Sequence, residues 1–382
     1  MRSRVRRTSA CGSLAAPGVV DFEPERRRHS ADATRGEPGS LPGGGIDSGP
    51  DLAAKVAFLS RPESYPEPAT RVDAVETHMS WVFLTDRHAY KLKKPIRSCF
   101  VDLRSPAARR ANCFEELRLN RRLAPDVYLD GVPLTLPADG RMRLAPEGRV
   151  IDWLVKMRRL PADRMLDHAI RSRTVRADDI RNVVAALCRF YHDCPPIPLT
   201  PDEYRERFAA GIAENANELS DPSGGLPSEQ VLPACAAQRT MLQRGSALFD
   251  ERVRRGRIVE GHGDLRPEHV CLGTPPQIID CLDFARDLRI LDIADELAFL
   301  ALECERLGAP ELARRIFADY GELSGEVVPS PLVNFYQSYR ATVRARLALR
   351  RLHEPAVRDP AKWTARTRDY LRLADAHVAQ CG

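Results

Sequence analysis

The sequence has no C-x-x-C pair, no run approaching eighteen apolar residues, and no G-x-x-x-x-G-K-[ST] motif. Its ten cysteines stand singly, and Cys188, Cys281 and Cys304 lie in apolar surroundings. That pattern suits small core residues in a reducing cytosol and fits neither a disulfide framework nor a zinc site. Without a long apolar run, no segment is expected to span a membrane. Arg6-Arg7 precedes TSACGSLAAPGVVDF, whose weak apolar run is broken by Gly12 and Pro17. A signal peptide needs a longer apolar region, so a cytoplasmic location is expected. The missing G-x-x-x-x-G-K-[ST] excludes a P-loop nucleotide site. Net charge is a mild +5, which permits anionic ligands but does not argue for nucleic acid as a partner.

The 382 residues suffice for one large or two ordinary domains. The apolar fraction of 43% is low and the 30 prolines are many, partly because of the N-terminus. Residues 1–50 are rich in Arg, Gly, Pro, Ser and Ala and read as a disordered extension. From Leu52 onward the pattern is that of a folded chain. Short strands are expected over Val72–Thr77, Ser80–Thr85 and Ala89–Lys93, the last closed by Pro95. Ser105-Pro106 supplies an N-cap and a first-turn proline for a helix to about Leu123. Strands follow over Tyr128–Leu136 and Arg143–Met157, with Ile151, Trp153, Val155 and Met157 on one face.

Beyond Pro161 the pattern turns helical. Helices are expected over Ala177–Asp193, Glu203–Leu219, Leu232–Arg255, Ile293–Leu307, Pro310–Leu323, Leu332–Leu352 and Lys362–Val378. A loop is expected over 221–229, and a short β segment over Gln277–Leu282. A strand-rich first part and a helix-rich second part imply two lobes, 51–157 and 158–380.

Four features then occur in order. The strand AYKLKK puts Lys91 and Lys93 on one face, and the next helix carries Glu115-Glu116. HGDLRPEH follows at 262–269, and Asp280 and Asp283 lie beyond it in IIDCLDF. Phosphoryl transfer from a nucleotide needs a lysine on the phosphates, a helix carboxylate holding that lysine, a carboxylate for the acceptor hydroxyl, and ligands for divalent ions. Asp264 suits the base, and His269 and Asp280 suit the metal. Each piece alone has a plainer reading. A lysine run can be a solvated edge strand, helix glutamates beside arginines are usually surface ion pairs, and a Gly-Asp step can be only a turn. Asp292 and Asp295 read as capping residues for the helix at Ile293, and His78 as a turn residue.

HGDLRPEH resembles the protein-kinase loop H-R-D-L-K-P-E-N, and the Gly after His262 with the IID strand is similar to the aminoglycoside-phosphotransferase-like kinases. THMSWVFLTDRHAYKLKKP, FEELRLNRRLAPDVYL, VKMRRLP, IDCLDF and LDIADELAFL extend the resemblance, over roughly 52–375, to a bacterial "aminoglycoside phosphotransferase family" group. The resemblance implies an α+β, two-lobed protein-kinase-like fold with a small β-rich N-lobe and a larger helical C-lobe. It implies an ATP-dependent phosphotransferase acting on a hydroxyl of a small molecule, with Mg²⁺ or Mn²⁺ as the divalent ion. It further implies Asp264 as base, Asp280 rather than Asp283 as the counterpart of the D-F-G aspartate, Lys91 or Lys93 on phosphate, and Glu116 rather than Glu115 as partner. Members of the group often carry a P-loop ATPase domain as well, for which this sequence has no motif.

Two departures stand out. No glycine-rich loop separates the first two strands; THMS (77–80) takes its place, so Ser80 and nearby backbone N–H groups are candidate phosphate caps. His269 stands where a kinase carries Asn. Imidazole is a poorer Mg²⁺ ligand than an amide oxygen and suits Mn²⁺ or Zn²⁺ better. A weakly catalytic regulatory module and a metal hydrolase with His262, Asp264 and His269 as ligands are therefore alternatives. If Arg340, Arg344, Arg346, Arg350 and Arg351 face the cleft, a neutral or anionic acceptor is expected.

Overall fold

The computed structural model describes residues 49–98, 100–221, 232–352 and 359–381. The expected disordered extension lies outside the described residues up to residue 48, and the 221–229 loop beyond Asp221 does too. Helix α1 (Leu52–Leu59) starts at Asp51, whose carboxylate accepts the Ala54 N–H. Five antiparallel strands follow: β1 (Asp73–Glu76), β2 (Ser80–Leu84), β3 (His88–Lys93), β4 (Tyr128–Leu136) and β5 (Arg149–Arg158). Their spatial order, β1-β2-β3-β5-β4, places β3 in the middle. The edge-strand reading of its lysines therefore fails. Helix α2 (Pro106–Asn120) opens at Ser105, which caps the Ala108 N–H, with proline in its first turn.

The sheet is buried on both faces. Tyr90 and Leu92 join Phe83, Leu134 and Leu154 under α1, while Ala89 meets Cys113 and Leu117 of α2 together with Val155 and Met157. Lys91 and Lys93 share the α2 face because strand side chains alternate. Ile151 departs from the expected face. Leu134 pairs with Asp152 but Thr135 with Val150, so Ile151 is an extra residue in a bulge and packs with the α1 cluster instead. Strand β5 also starts at Arg149 instead of Arg143, after a turn with Gly148 at φ 108°.

The second half contains α3 (Leu166–Arg171), α4 (Ala177–Asp193), α5 (Pro201–Leu219), α6 (Leu232–Arg244), α7 (Ser246–Arg254), α8 (Ile293–Arg306), α9 (Pro310–Ser324), α10 (Ser330–Leu352) and α11 (Pro360–Val378). Helix α4 buries Ile180, Val183, Val184, Leu187 and Tyr191, the stripe a 3.6-residue period predicts. The single helix expected over Leu232–Arg255 breaks at Gly245, where an added Cβ would lie 2.9 Å from both Met241 Cε and Met241 O. Helix α8 is buried around nearly its whole circumference and forms the centre of this half. Between α7 and α8 run two small antiparallel pairs: β6 (Ile258–Glu260) with β9 (Ile290–Asp292), and β7 (Val270–Cys271) with β8 (Gln277–Ile278). No helix among the described residues is long and apolar enough to cross a membrane.

The arginines of α10 do not form an open cationic wall. Arg340 grips Asp295 at 2.7 and 2.6 Å, Arg344 lies 3.5 Å from Glu303, and Arg346 lies 2.6 Å from Glu214. All three are buried, and Arg350 pairs with Glu218. These carboxylates neutralise them, so the inference of an anionic acceptor loses its basis. Asp292 does cap α8, accepting the Ala294 N–H, and is also held by Arg252.

Candidate active site

The two lysines of β3 meet the acid of α2. Lys91 Nζ lies 2.9 Å from Glu116 Oε1, and Lys93 Nζ lies 2.5 Å from Glu116 Oε2. Glu116 is fully buried one helical step from Glu115, which pairs instead with Arg118 on the surface. Burial alone would raise the Glu116 carboxyl, but Lys91 and Lys93 outweigh it and hold it below its ordinary value. The lysines then part company. Lys91 reaches Asp280 Oδ1 at 2.7 Å, whereas Lys93 bonds Asp283. Burial disfavours charge on Lys91, yet Asp280, Glu116 and Asp283 overcome it and keep the ammonium well above its usual range. Asp283 goes the other way. Burial pushes its carboxyl up to about 6 against the pull of Lys93, because Glu116 competes for the same cations.

HGDLRPEH forms the loop after β6. Gly263 adopts φ 85°, and a Cβ there would also meet Arg289 Cγ at 3.0 Å. Glu296 of α8, which sequence reasoning did not single out, anchors this loop. Its carboxylate accepts the N–H groups of His262 (2.9 Å) and Gly263 (2.6 Å) and the Tyr191 hydroxyl (2.8 Å). Its only sequence signal was an acid within the apolar run LDIADELAFL. His262 Nε2 donates to the Ile279 carbonyl at 2.8 Å, leaving Nδ1 to accept the Asp264 N–H at 3.3 Å. Burial pushes this imidazole down to about 3. His262 is wholly buried and, unlike His269, does not line the cavity between the two halves, so it is not placed as a metal ligand. Among the described residues no group of three or more His, Cys, Asp or Glu could hold a metal ion.

Asp264 is buried, with Oδ2 3.0 Å from Arg266 Nη2 and Oδ1 without a hydrogen-bond partner. Burial raises its carboxyl, opposed by Arg266 and His269. His269 Nδ1 donates to the Asp264 carbonyl at 2.8 Å, which fixes the tautomer. Its Nε2 lies 3.2 Å from Arg266 Nη2 and 3.5 Å from Asp280 Oδ2. The loop, β3, α2 and the segment after β8 thus bring together Lys91, Lys93, Glu116, His269 and Asp280, with Asp264 behind His269.

Of these, Lys91, Lys93, His269 and Asp280 line a cavity of about 730 Å³ between the sheet and the helical half. Val75, Val82, Ala89, Met157, Leu160 and Ile279 supply apolar walls, and Lys91, Lys93, His269, Asp280 and Asp283 the polar end. Ser80 lines it too, and its buried Oγ has no hydrogen-bond partner. The Ser80 N–H, however, is taken by Thr77 Oγ1 at 3.0 Å. Asp264 does not line the cavity.

No family model matches the chain. Uncharacterised proteins of Mycobacterium tuberculosis (strain H37Rv) and Mycobacterium bovis are 30% identical over 318 residues, 81% of this chain and 62% of theirs. The chain therefore spans less than two thirds of the length of the curated relatives it matches. The choline/ethanolamine kinase family protein from Mesorhizobium loti superposes with a TM-score of 0.51 at 15% identity, covering 86% of this chain and 98% of that one. Choline kinase from Cryptosporidium parvum superposes with a TM-score of 0.50 at 10% identity, covering 85% and 95%.

The fold is protein-kinase-like.

Within that fold the cavity is the cleft between a β-rich N-terminal lobe and a helical C-terminal lobe, and Arg122 helps tie the two. It follows α2, donates to the Glu260 and Gly261 carbonyls at 2.9 and 3.0 Å, and stacks over Phe190. His78, at the tip between β1 and β2, approaches Arg351 of α10 at 3.2 Å through Nδ1.

Proposed function

We propose that the chain is an ATP-dependent phosphotransferase that moves a phosphoryl group to a hydroxyl of a small molecule. The observation that carries this reading is the position of Lys91, whose ammonium sits between Glu116 and Asp280 at the polar end of the inter-lobe cavity. That is the geometry of a lysine held charged by one acid and available to phosphate oxygens beside a second.

The cleft suits a nucleotide and a divalent ion in its donor chemistry. Apolar walls fit a purine ring, and the unpartnered Ser80 Oγ and Lys91 fit phosphate oxygens. Asp280 and His269 Nε2, the latter on giving up its contact with Arg266 Nη2, are the groups that would hold Mg²⁺ or Mn²⁺. Such an ion, when bound, neutralises charge on the phosphates. Lys91 binds and orients the phosphates, and Glu116 keeps Lys91 in place. Lys93 is buried against Asp283 and serves mainly to neutralise Glu116. Asp264, through its unpartnered Oδ1, accepts the proton that leaves the acceptor hydroxyl as the new O–P bond forms and the bond from the γ-phosphorus to the departing ADP oxygen breaks. Incubating the purified protein with ATP, Mg²⁺ or Mn²⁺, and a panel of sugars, amino alcohols and aminoglycosides tests this. Asp264→Asn is the control, and full turnover in that variant overturns the assignment.

A second reading, a nucleotide-binding module that does not transfer phosphate, draws on the burial of Asp264 and its bond to Arg266. It predicts ATP-dependent thermal stabilisation with no phosphate release under either metal.

A further inference from the structure

Asp280 has an unusual backbone. Its φ is 61°, in the left-handed region that residues with a Cβ rarely adopt. It also lies just past β8, beyond the strand pairing that ends at Ile278, so no ladder holds it there. Side chains and loop groups do so instead. On the C-lobe side, the Ile279 carbonyl receives His262 Nε2–H, the Ile279 N–H reaches the His269 carbonyl at 2.9 Å, and the Leu282 N–H reaches the His262 carbonyl at 3.0 Å. The two intervening N–H groups turn to the other lobe. Asp280 N–H donates to Tyr128 Oη at 3.0 Å, and Cys281 N–H donates to Asn120 Oδ1 at 2.8 Å.

Both acceptors are themselves held. Asn120 stands one helical turn after Glu116 and spends its amide N–H on the Glu116 carbonyl at 2.9 Å, which leaves Oδ1 to face Cys281. Tyr128 is the first residue of β4, and its ring packs with Cys113, Leu117 and Val155. Both are buried. The helix that carries the lysine's partner thus also carries an acceptor for the segment that carries Asp280.

We infer that Asn120 and Tyr128 are positioning residues for the divalent ion: they hold Asp280 in its left-handed conformation, with its carboxylate toward Lys91 and His269. This rests on the nucleotide-binding reading above. The metal end of the cleft is then complete only while the N-lobe sits on the C-lobe, because two consecutive N–H groups of the metal-bearing turn bond across the lobes. Groups behind a metal ligand orient it, and losing them weakens metal binding more than it weakens the fold.

The test measures Mn²⁺ uptake by electron paramagnetic resonance in the presence of a non-hydrolysable ATP analogue. Binding of the analogue without metal and the melting temperature are measured alongside. Tyr128→Phe keeps the ring and removes only the acceptor; Asn120→Ala removes the other. Tyr65→Phe, which deletes a buried N-lobe hydroxyl bonded to the Leu59 carbonyl, controls for simple loss of a hydroxyl. The expected result is a roughly tenfold weaker Mn²⁺ affinity in Tyr128→Phe, with metal-free analogue binding unchanged and Tyr65→Phe like wild type. Mn²⁺ affinity unchanged in Tyr128→Phe, or weakened equally by Tyr65→Phe, overturns the inference while leaving nucleotide binding intact. A wild-type protein that takes up neither analogue nor Mn²⁺ rejects the nucleotide-binding reading itself and the inference with it. Should Asn120→Ala fail to fold, Tyr128→Phe decides.

Discussion

Lys91 Nζ lies 2.7 Å from Asp280 Oδ1 and 2.9 Å from Glu116 Oε1, so a single ammonium joins the middle of the sheet, helix α2 and the segment after β8. Replacing it with Met leaves Asp280 without its lysine and Glu116 with Lys93 alone. Breaking a buried pair costs about 3–5 kcal/mol. Since Asp280 keeps some solvent contact and Lys93 remains, a loss of about 3 kcal/mol in denaturant unfolding is expected. Lys91→Met/Glu116→Gln should recover part of that stability but none of the nucleotide binding, measured by thermal shift. Equal nucleotide affinity in wild type and Lys91→Met would remove Lys91 from the site.

Asp264→Asn should lower phosphoryl transfer by roughly 10²–10⁴-fold, the usual worth of a positioned base. Its nucleotide affinity should stay at the wild-type value, because Asp264 does not line the cavity. Single-turnover transfer and equilibrium binding separate the two effects. A parallel loss of binding would instead mark Asp264 as a structural partner of Arg266.

His269→Asn places an amide oxygen beside Asp280. The ratio of Mg²⁺-supported to Mn²⁺-supported activity should rise in this variant, since an amide oxygen suits the harder ion. Metal titrations of both proteins at fixed nucleotide check it, and an unchanged ratio shows that His269 does not reach the ion.

Acid should destabilise the protein through His262. Its folded value, about 3, lies below the ordinary 6.5 because the ring is buried. Between those values the unfolded chain binds the extra proton and the folded chain does not, so this contribution to stability falls as pH drops from 6.5 toward 3. Denaturant midpoints across that window should fall less steeply for His262→Gln than for wild type. Identical slopes would place the sensitivity elsewhere.

Gly261→Ala probes the anchor beneath the loop. A Cβ at that position would lie 2.7 Å from Glu296 Oε2 and 3.0 Å from Oε1. The carboxylate must move off the His262 and Gly263 N–H groups, with an expected cost of about 1–3 kcal/mol. A melting curve matching wild type would mean Glu296 can shift without loss.

Much of this site was legible from residue order. Period-two alternation put Lys91 and Lys93 on one face, and the structure keeps them there beside Glu116. Helix α4 spans Ala177–Asp193, the range expected from the sequence. The failures have physical causes. Ile151 changed face because a bulge adds one residue, which a strict alternation cannot anticipate. Helix 232–255 broke where Met241 packs against Gly245. Which way the α10 arginines face could not be read from the sequence; acids on α5 and α8 claim Arg346, Arg340 and Arg344.

By itself, the sequence determined which residue types stand on which local face: paired lysines on a strand, acids on a helix, a Gly-Asp loop, and a later aspartate. These follow from backbone periodicity, which operates over a few residues. Tertiary structure alone decided that Lys91 takes Asp280 while Lys93 takes Asp283, that Asp264 lies behind Arg266 and His269, and that Tyr128 and Asn120 hold the turn at Asp280. The last two contacts join residues 152 and 161 positions apart. Such pairings depend on how the two lobes dock, and no local pattern encodes that.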